Sequence, residues 1–293
     1  SEMLAGFSGR RSLPQWRKDA YVDRSDWAYR HVSEDEPAPP MREAVLFADT
    51  FNRYFERENL DAALRVLVAG GYHVHAALPA DDDERPLCCG RTFLAIGAVD
   101  EAKREMARTL AALAPYVKRG VPVIGLEPSC LMTFRDELPA LLKGEAVAAL
   151  SAQAVLLEEF LAREQAEGQL DLSLGALPKK ALLHGHCHQK AFDAMGAVES
   201  VLRLVPQLEV QTVESSCCGM AGAFGYDAET IDASLRMAEL SMLPAVRKAP
   251  ADALIVADGT SCRHQIYDGS DREALHVARV LDMSLAVARA DPR

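Results

Sequence analysis

Seven cysteines offer the most chemistry in this sequence: Cys88, Cys89, Cys130, Cys187, Cys217, Cys218 and Cys262. Four of them form two adjacent pairs, each followed by glycine: Cys88-Cys89-Gly90 and Cys217-Cys218-Gly219. Neighbouring side chains on a strand face opposite sides. Two adjacent thiols therefore reach a common centre only where the chain turns, and glycine permits that turn. An odd count in a chain of 293 residues disfavours a disulfide framework of the small secreted kind. Three uses remain: inert core thiols, redox-reactive thiols, and soft ligands for zinc or an iron–sulfur centre. The recurrence of one arrangement favours ligation. The close-spaced Cys-x-x-Cys pairs of a zinc ribbon or a bacterial ferredoxin are absent.

Histidines crowd the same places. His184, His186 and His188 flank Cys187, and His264 stands two residues after Cys262. They are candidate ligands or hydrogen-bond donors to a thiolate, against the plainer reading of satisfied loop or core histidines. Arg91 and Arg263, directly after cysteine motifs, would offset thiolate charge or lie on the surface. Residues 219–225 are glycine-rich but lack the GxGxxG pattern after a first strand. Close approach of their N–H groups to cluster sulfurs is the better use. No Ser-His-Asp order or paired-carboxylate motif stands out, and the acidic residues of 100–119 and 158–167 read as solvated helix faces.

The elements that must position these residues alternate. Apolar runs at 44–48, 72–76, 121–126, 181–183, 208–213 and 253–257 read as strands. Helical spacing marks 60–69, 100–119, a long stretch 138–164 broken near Gly144, 198–205, 231–246 and 273–288. Alternating strands and helices imply parallel sheets covered by helices. Residues 1–42 read as an arm, basic at first (Arg10, Arg11, Arg17, Lys18), then acidic and proline-rich over 34–40.

The two halves also repeat one another. Cys130 follows Cys89 by 41 residues, and Cys262 follows Cys218 by 44. Cys187 precedes its pair by 30 residues, and the matching position in the first half is Thr50. Duplication of a βαβαβα unit explains this. The expected division is an arm (1–42), a first repeat (43–178) and a second repeat (179–293). Their folds would be Rossmann-like α/β, related by a pseudo-two-fold. Every cysteine then falls at the carboxyl end of a strand, the edge where open parallel sheets bind ligands.

Composition excludes other classes. Apolar residues make up 49% and charged residues 26%, as in a globular protein. Lys and Arg number 32 against 43 Asp and Glu, a net charge of −11, which argues against nucleic acid as a partner. No run approaches the roughly 20 apolar residues of a transmembrane helix, and no signal peptide is visible. A cytoplasmic protein, or one peripheral at the inner membrane face, is expected.

With these motifs the sequence resembles the CCG, or cysteine-rich, domain family. That family occurs as tandem repeats of Cys, then Cys-Cys-Gly, then Cys-x-x-Cys, and the resemblance covers residues 43–285. It includes the cysteine-rich subunit of heterodisulfide reductase, the iron–sulfur subunit of glycolate oxidase and lactate-utilisation iron–sulfur proteins. Residues 85–93 and 216–222 look like the carboxyl-terminal part of long FAD-linked oxidases, and residues 11–17 look like the connector that follows their ferredoxin-like module. The resemblance implies the last portion of such an oxidase, or a separate counterpart.

This sequence departs from the fullest pattern of five cysteines per repeat. The earlier position of Cys-x-x-Cys is Glu127 in the first repeat and Gly259 in the second, and Thr50 replaces the leading Cys of the first. Four thiols in the second repeat suffice for one cluster; the first would need Glu127 or Asp49 as a further ligand, or a shared centre. The resemblance thus implies one or two iron–sulfur clusters of the 4Fe-4S type, with FAD on an attached or partner flavin dehydrogenase domain. Its expected function is electron transfer in a 2-hydroxy acid dehydrogenase (glycolate, D-lactate or D-2-hydroxyglutarate type), passing electrons to a quinone or carrier protein. A disulfide-cleaving centre of the heterodisulfide reductase type and a zinc-structured interaction domain are the alternatives.

Overall fold

The computed structural model describes residues 6–23, 26–27, 42–81, 83 and 85–290. The acidic, proline-rich stretch at 34–40 lies outside the described residues. The chain divides into two compact units, one of Arg17–Ser173, the other of Leu174–Arg293 together with the N-terminal residues up to Trp16.

The first unit is built in the order β1 (Asp26–Trp27), β2 (Arg42–Leu46), α1 (Thr50–Tyr54), α2 (Arg57–Ala69), β3 (Tyr72–Ala76), α3 (Arg91–Ala95), α4 (Val99–Val117), β4 (Val123–Gly125), α5 (Pro128–Arg135), α6 (Glu137–Leu141), α7 (Glu145–Gln153), β5 (Ala154–Leu156) and α8 (Leu157–Ala166). Its sheet runs β1-β3-β2-β4-β5, parallel throughout except for β1, which pairs antiparallel with β3. The run from Ala44 to Ala48 is buried throughout, as a strand in the middle of a parallel sheet must be. α4 buries Ala102, Met106, Thr109, Leu113 and Val117, one stripe at helical spacing.

The second unit runs β6 (Lys180–Leu183), α9 (Cys187–Ala191), α10 (Met195–Leu202), β7 (Glu209–Thr212), α11 (Ile231–Glu239), α12 (Met242–Lys248), β8 (Leu254–Val256), α13 (Thr260–Ser270), β9 (Ala274–Leu275) and α14 (Val277–Ala290). Its sheet order is β7-β6-β8-β9, all parallel. Numbered within each unit, both sheets place their parallel strands in the order second, first, third, fourth. This is the α/β architecture expected of a duplicated Rossmann-like repeat. On one side Leu182, Ile255 and Ala257 pack with Met242, Leu243, Val246 and Ile266, and Cys218 and Cys262 belong to the same apolar cluster. Each such buried aliphatic side chain contributes roughly 1.5–3 kcal/mol.

The sequence pattern missed the fourth strand of each sheet. β5 interrupts what reads as one helix over 138–164, and β9 opens what reads as a helix from 273. Strands of two or three apolar residues between helices do not disturb a helical period. Their strand character comes from pairing with β4 and β8.

The N-terminal residues are tied down by specific bonds. Arg11 is buried, donating from Nε to Gly225 O at 2.9 Å and pairing with Asp268 at 3.0 Å. Within the first unit, Tyr21 N donates to Arg53 O at 2.9 Å, and Arg53 pairs with Asp23 at 2.6 Å.

Candidate metal centre

In the second unit three strand ends deliver four thiols. β6 continues through His184 and Gly185 to His186, whose side chain caps α9, so Cys187 is the first residue of that helix. β7 leads to Cys217 and Cys218. β8 leads through Gly259, the N-cap of α13, to Cys262 in its first turn, where the helix N-terminus favours a thiolate. Cys187 and Cys217, Cys217 and Cys218, and Cys218 and Cys262 lie close enough to perturb one another's ionisation. Cys187 is exposed, Cys217 is half-buried, and Cys218 and Cys262 are buried.

The turn depends on Gly219. Its φ is +87°, and a Cβ there would stand 2.2 Å from Ser234 O on α11. Its N–H donates to Cys217 Sγ at 3.4 Å. Gln265 on α13 donates to Cys218 O at 2.8 Å and fixes the other half of the pair.

Electrostatics divides the four thiols. Hydrogen bonds from Cys187 and then Cys218 hold Cys217 below the ordinary thiol value. Cys262 is held well below it by Cys218 and by His184, against its burial. Cys187 and Cys218 are pushed up by the hydrogen bonds they donate and by burial. Lys190, one helical turn on from Cys187, donates to Ser216 O at 2.9 Å and to Ser215 O, within electrostatic reach of all four thiols. Burial lowers its pKa, and the thiols oppose this. The motif reading missed Lys190. Its spacing of three from Cys187 was the available signal.

The histidines divide as well. His184 is 1% exposed. A ring nitrogen of it and the sulfurs of Cys218 and Cys262 lie within 4.8 Å of one another. Its Nε2 is buried without a hydrogen-bond partner of normal geometry. His186 and His188 stack at 5.1 Å beside Cys187, but His186 Nδ1 accepts the His188 N–H at 3.1 Å. The His186 ring also fills the space above Gly259, where a Cβ would meet its Cδ2 at 2.3 Å. His264 bonds elsewhere, with Nε2 2.7 Å from Ser12 Oγ and Nδ1 3.1 Å from the Tyr226 hydroxyl. Arg263 donates to Ala257 O and Asp258 O at the end of β8, and Arg91 pairs with Glu137.

The first unit repeats the frame with other occupants. Gly90, at φ +83°, donates to Cys88 Sγ at 3.4 Å. Cys88 and Cys89, and Cys89 and Cys130, lie close enough to perturb one another's ionisation. Thr50 opens α1 as Cys187 opens α9, and its hydroxyl lies 3.9 Å from Cys88 Sγ. Asp49 and Glu127, both buried, cap α1 and α5. Burial first, then Glu127, pushes Asp49 up to about 6. Cys130 accepts from Cys89, but burial and the charges of Asp49 and Glu127 outweigh this and push it up to about 12.

The donor set of the second unit fits a soft metal or cluster. It offers four thiols, two of them held below the ordinary thiol value, with a buried histidine ring and a lysine beside them.

The family model for the cysteine-rich domain, CCG, matches residues 181–267. The chain is 27% identical over 278 residues to one of the subunits of the anaerobic glycerol-3-phosphate dehydrogenase of Escherichia coli (strain K12), across 94% of this chain and 66% of that one. It is 29% identical over 252 residues to "D-2-hydroxyglutarate dehydrogenase" of Pseudomonas putida, across 85% of this chain and 23% of the relative. With "Lactate utilization protein A" of Bacillus velezensis it shares 30% identity over 222 residues, 69% of this chain and 85% of the relative. The chain thus spans just under two thirds of the Escherichia coli relative and less than a quarter of the Pseudomonas putida dehydrogenase. The doubled Cys-Cys-Gly turn, the matching strand orders and these similarities agree that the chain belongs to the cysteine-rich CCG domain family.

Proposed function

We propose that this chain is the electron-transfer component of a flavin-linked dehydrogenase. An iron–sulfur centre of the 4Fe-4S type would be held by Cys187, Cys217, Cys218 and Cys262. Cys88, Cys89 and Cys130, with Asp49 or Glu127 beside them, would form a second, weaker centre. The convergence of four thiols from three strand ends of one sheet carries this reading. When bound, such a centre supplies one-electron transfer; ligation and burial are the protein's part.

The chain's own residues have definite tasks. Cys217 and Cys262 offer thiolates, the Gly219 N–H softens the charge on Cys217, and Lys190 balances the rest. Exposure of Cys187 gives the centre one solvent-facing end. That end is where an electron donor or acceptor would approach. Residues 43–178 and 179–293 are the duplicated repeats in this reading, and 1–42 the connecting arm.

The relatives' names point to substrates with a secondary alcohol beside an anionic group: 2-hydroxyglutarate, lactate and glycerol 3-phosphate. Oxidation of a 2-hydroxy acid would take place on FAD of an attached or partner domain. Electrons would leave to a quinone or a carrier protein. No helix among the described residues is long and apolar enough to cross a membrane. We place the protein in the cytoplasm, at the inner face of the membrane where the acceptor is a quinone.

Iron, sulfide and zinc analysis of anaerobically purified protein tests this, together with electron paramagnetic resonance after reduction. A brown protein with iron and acid-labile sulfide is expected. A colourless protein holding zinc would replace the reading with a zinc-structured interaction domain.

A further inference from the structure

The four-thiol edge contains a buried nitrogen whose proton can be located. His184 Nδ1 lies 2.8 Å from Ser215 Oγ. The Lys190 ammonium reaches the same Oγ at 3.3 Å. An ammonium has only protons to give, so Ser215 Oγ receives on that side and keeps its own proton to donate. Two acceptors are in range: His184 Nδ1 at 2.8 Å and Val213 O at 3.5 Å. The shorter contact is the better hydrogen bond. Donation to the closer of the two makes Nδ1 an acceptor, and a neutral imidazole then carries its proton on Nε2. Nε2 is the nitrogen that no hydrogen bond occupies, on a ring with one nitrogen within 4.8 Å of the sulfurs of Cys218 and Cys262.

We infer that His184 is a positioning residue: it presents an Nε2–H to the sulfurs of Cys218 and Cys262 and does not ligate the metal. Ser215 and Lys190 select this tautomer. The inference rests on the iron–sulfur reading of the same site and goes further, because it separates the thiols that bind from the imidazole that tunes them. Hydrogen bonds to cluster sulfurs stabilise the electron-rich state and raise the reduction potential.

The first unit provides an internal control. Phe47 occupies the matching place, with its N–H donating to Ile124 O at 2.8 Å as that of His184 donates to Val256 O at 2.8 Å. Phe47 is 1% exposed and offers no donor to the three-thiol edge.

Nitrogen-15 NMR of the imidazole reads the tautomer directly in the purified chain. A protonated Nε2 at His184 is expected; a protonated Nδ1 would overturn the inference whatever metal is bound. In the anaerobic iron-loaded protein, His184→Leu is expected to keep its iron and to lower the reduction potential, and His184→Gln, which retains an N–H, to recover part of the shift. Pulsed paramagnetic resonance with nitrogen-15 histidine should show only weak coupling. Strong coupling of a bonded nitrogen, or iron loss in a folded His184→Leu protein, would make His184 a ligand and refute the proposal. An unchanged potential in His184→Leu would refute it too. Failure of the underlying reading is distinct: the wild-type chain and Cys217→Ser would then contain equally little iron.

Discussion

The two cysteine edges share one frame and differ in a handful of side chains. Each has a Cys-Cys-Gly turn, a glycine N–H on the first sulfur, and a further cysteine in the first turn of the helix after the third strand. Where the second unit has Cys187, His184, His186 and Gly259, the first has Thr50, Phe47, Asp49 and Glu127. Cys217 and Cys262 lie below the ordinary thiol value, whereas Cys88, Cys89 and Cys130 are all raised. Neighbouring thiols and burial raise Cys88 and Cys89, the buried carboxylates Asp49 and Glu127 add to the rise at Cys130, and the His184 imidazole adds to the fall at Cys262. One backbone therefore presents thiols of different acidity, since only the second unit has cysteines held below the ordinary thiol value, Cys217 and Cys262, beside the raised Cys187 and Cys218.

Removal of a thiol tests the difference most severely. Cys217→Ser is expected to cost most of the iron of an anaerobic preparation, and Cys130→Ser clearly less. Equal losses would show that the two edges are not independent.

The glycine turns come next. Gly219→Ala should destabilise the fold by about 3 kcal/mol, and Gly90→Ala by about 2 kcal/mol, in denaturant titrations. Both residues have positive φ, but the new Cβ meets Ser234 O at 2.2 Å in one case and Ala102 O at 2.9 Å in the other. The reverse order would mean that α11 yields more readily than α4.

Thr50→Cys restores the missing fourth thiol and should raise iron bound per chain, without loss of stability beyond about 1 kcal/mol. No gain would show that Asp49, Glu127 or Phe47 limits the first edge more than the missing thiol does. The smallest effect is expected of Thr109→Val. It removes the 2.8 Å hydrogen bond to Cys88 O and should cost about 1 kcal/mol in thermal unfolding, with iron at the second edge unchanged.

The repeat was legible because its signals are local. Spacing matched Thr50 to Cys187 and Glu127 to Gly259, and the structure places each pair at the same point of its unit: the first helical residue after the first strand, and the cap after the third. The short strands β5 and β9 escaped because two or three apolar residues carry no period of their own. The helix read over 231–246 is two, α11 and α12, broken between Leu240 and Ser241.

The sequence by itself determined the α/β alternation, the duplication, the glycine turns and the seven thiols as the chemical inventory. These follow from residue type and spacing, which act over a few residues. Only the tertiary structure decided which histidine comes near Cys262. His264 is two residues from Cys262 yet bonds to Ser12 and Tyr226, whereas His184, 78 positions before Cys262, comes within 4.8 Å of its sulfur. Lys190 and Ser215 joined the site in the same way. Side-chain direction at a strand end is set by what packs around it, and those neighbours come from elements far apart in the chain.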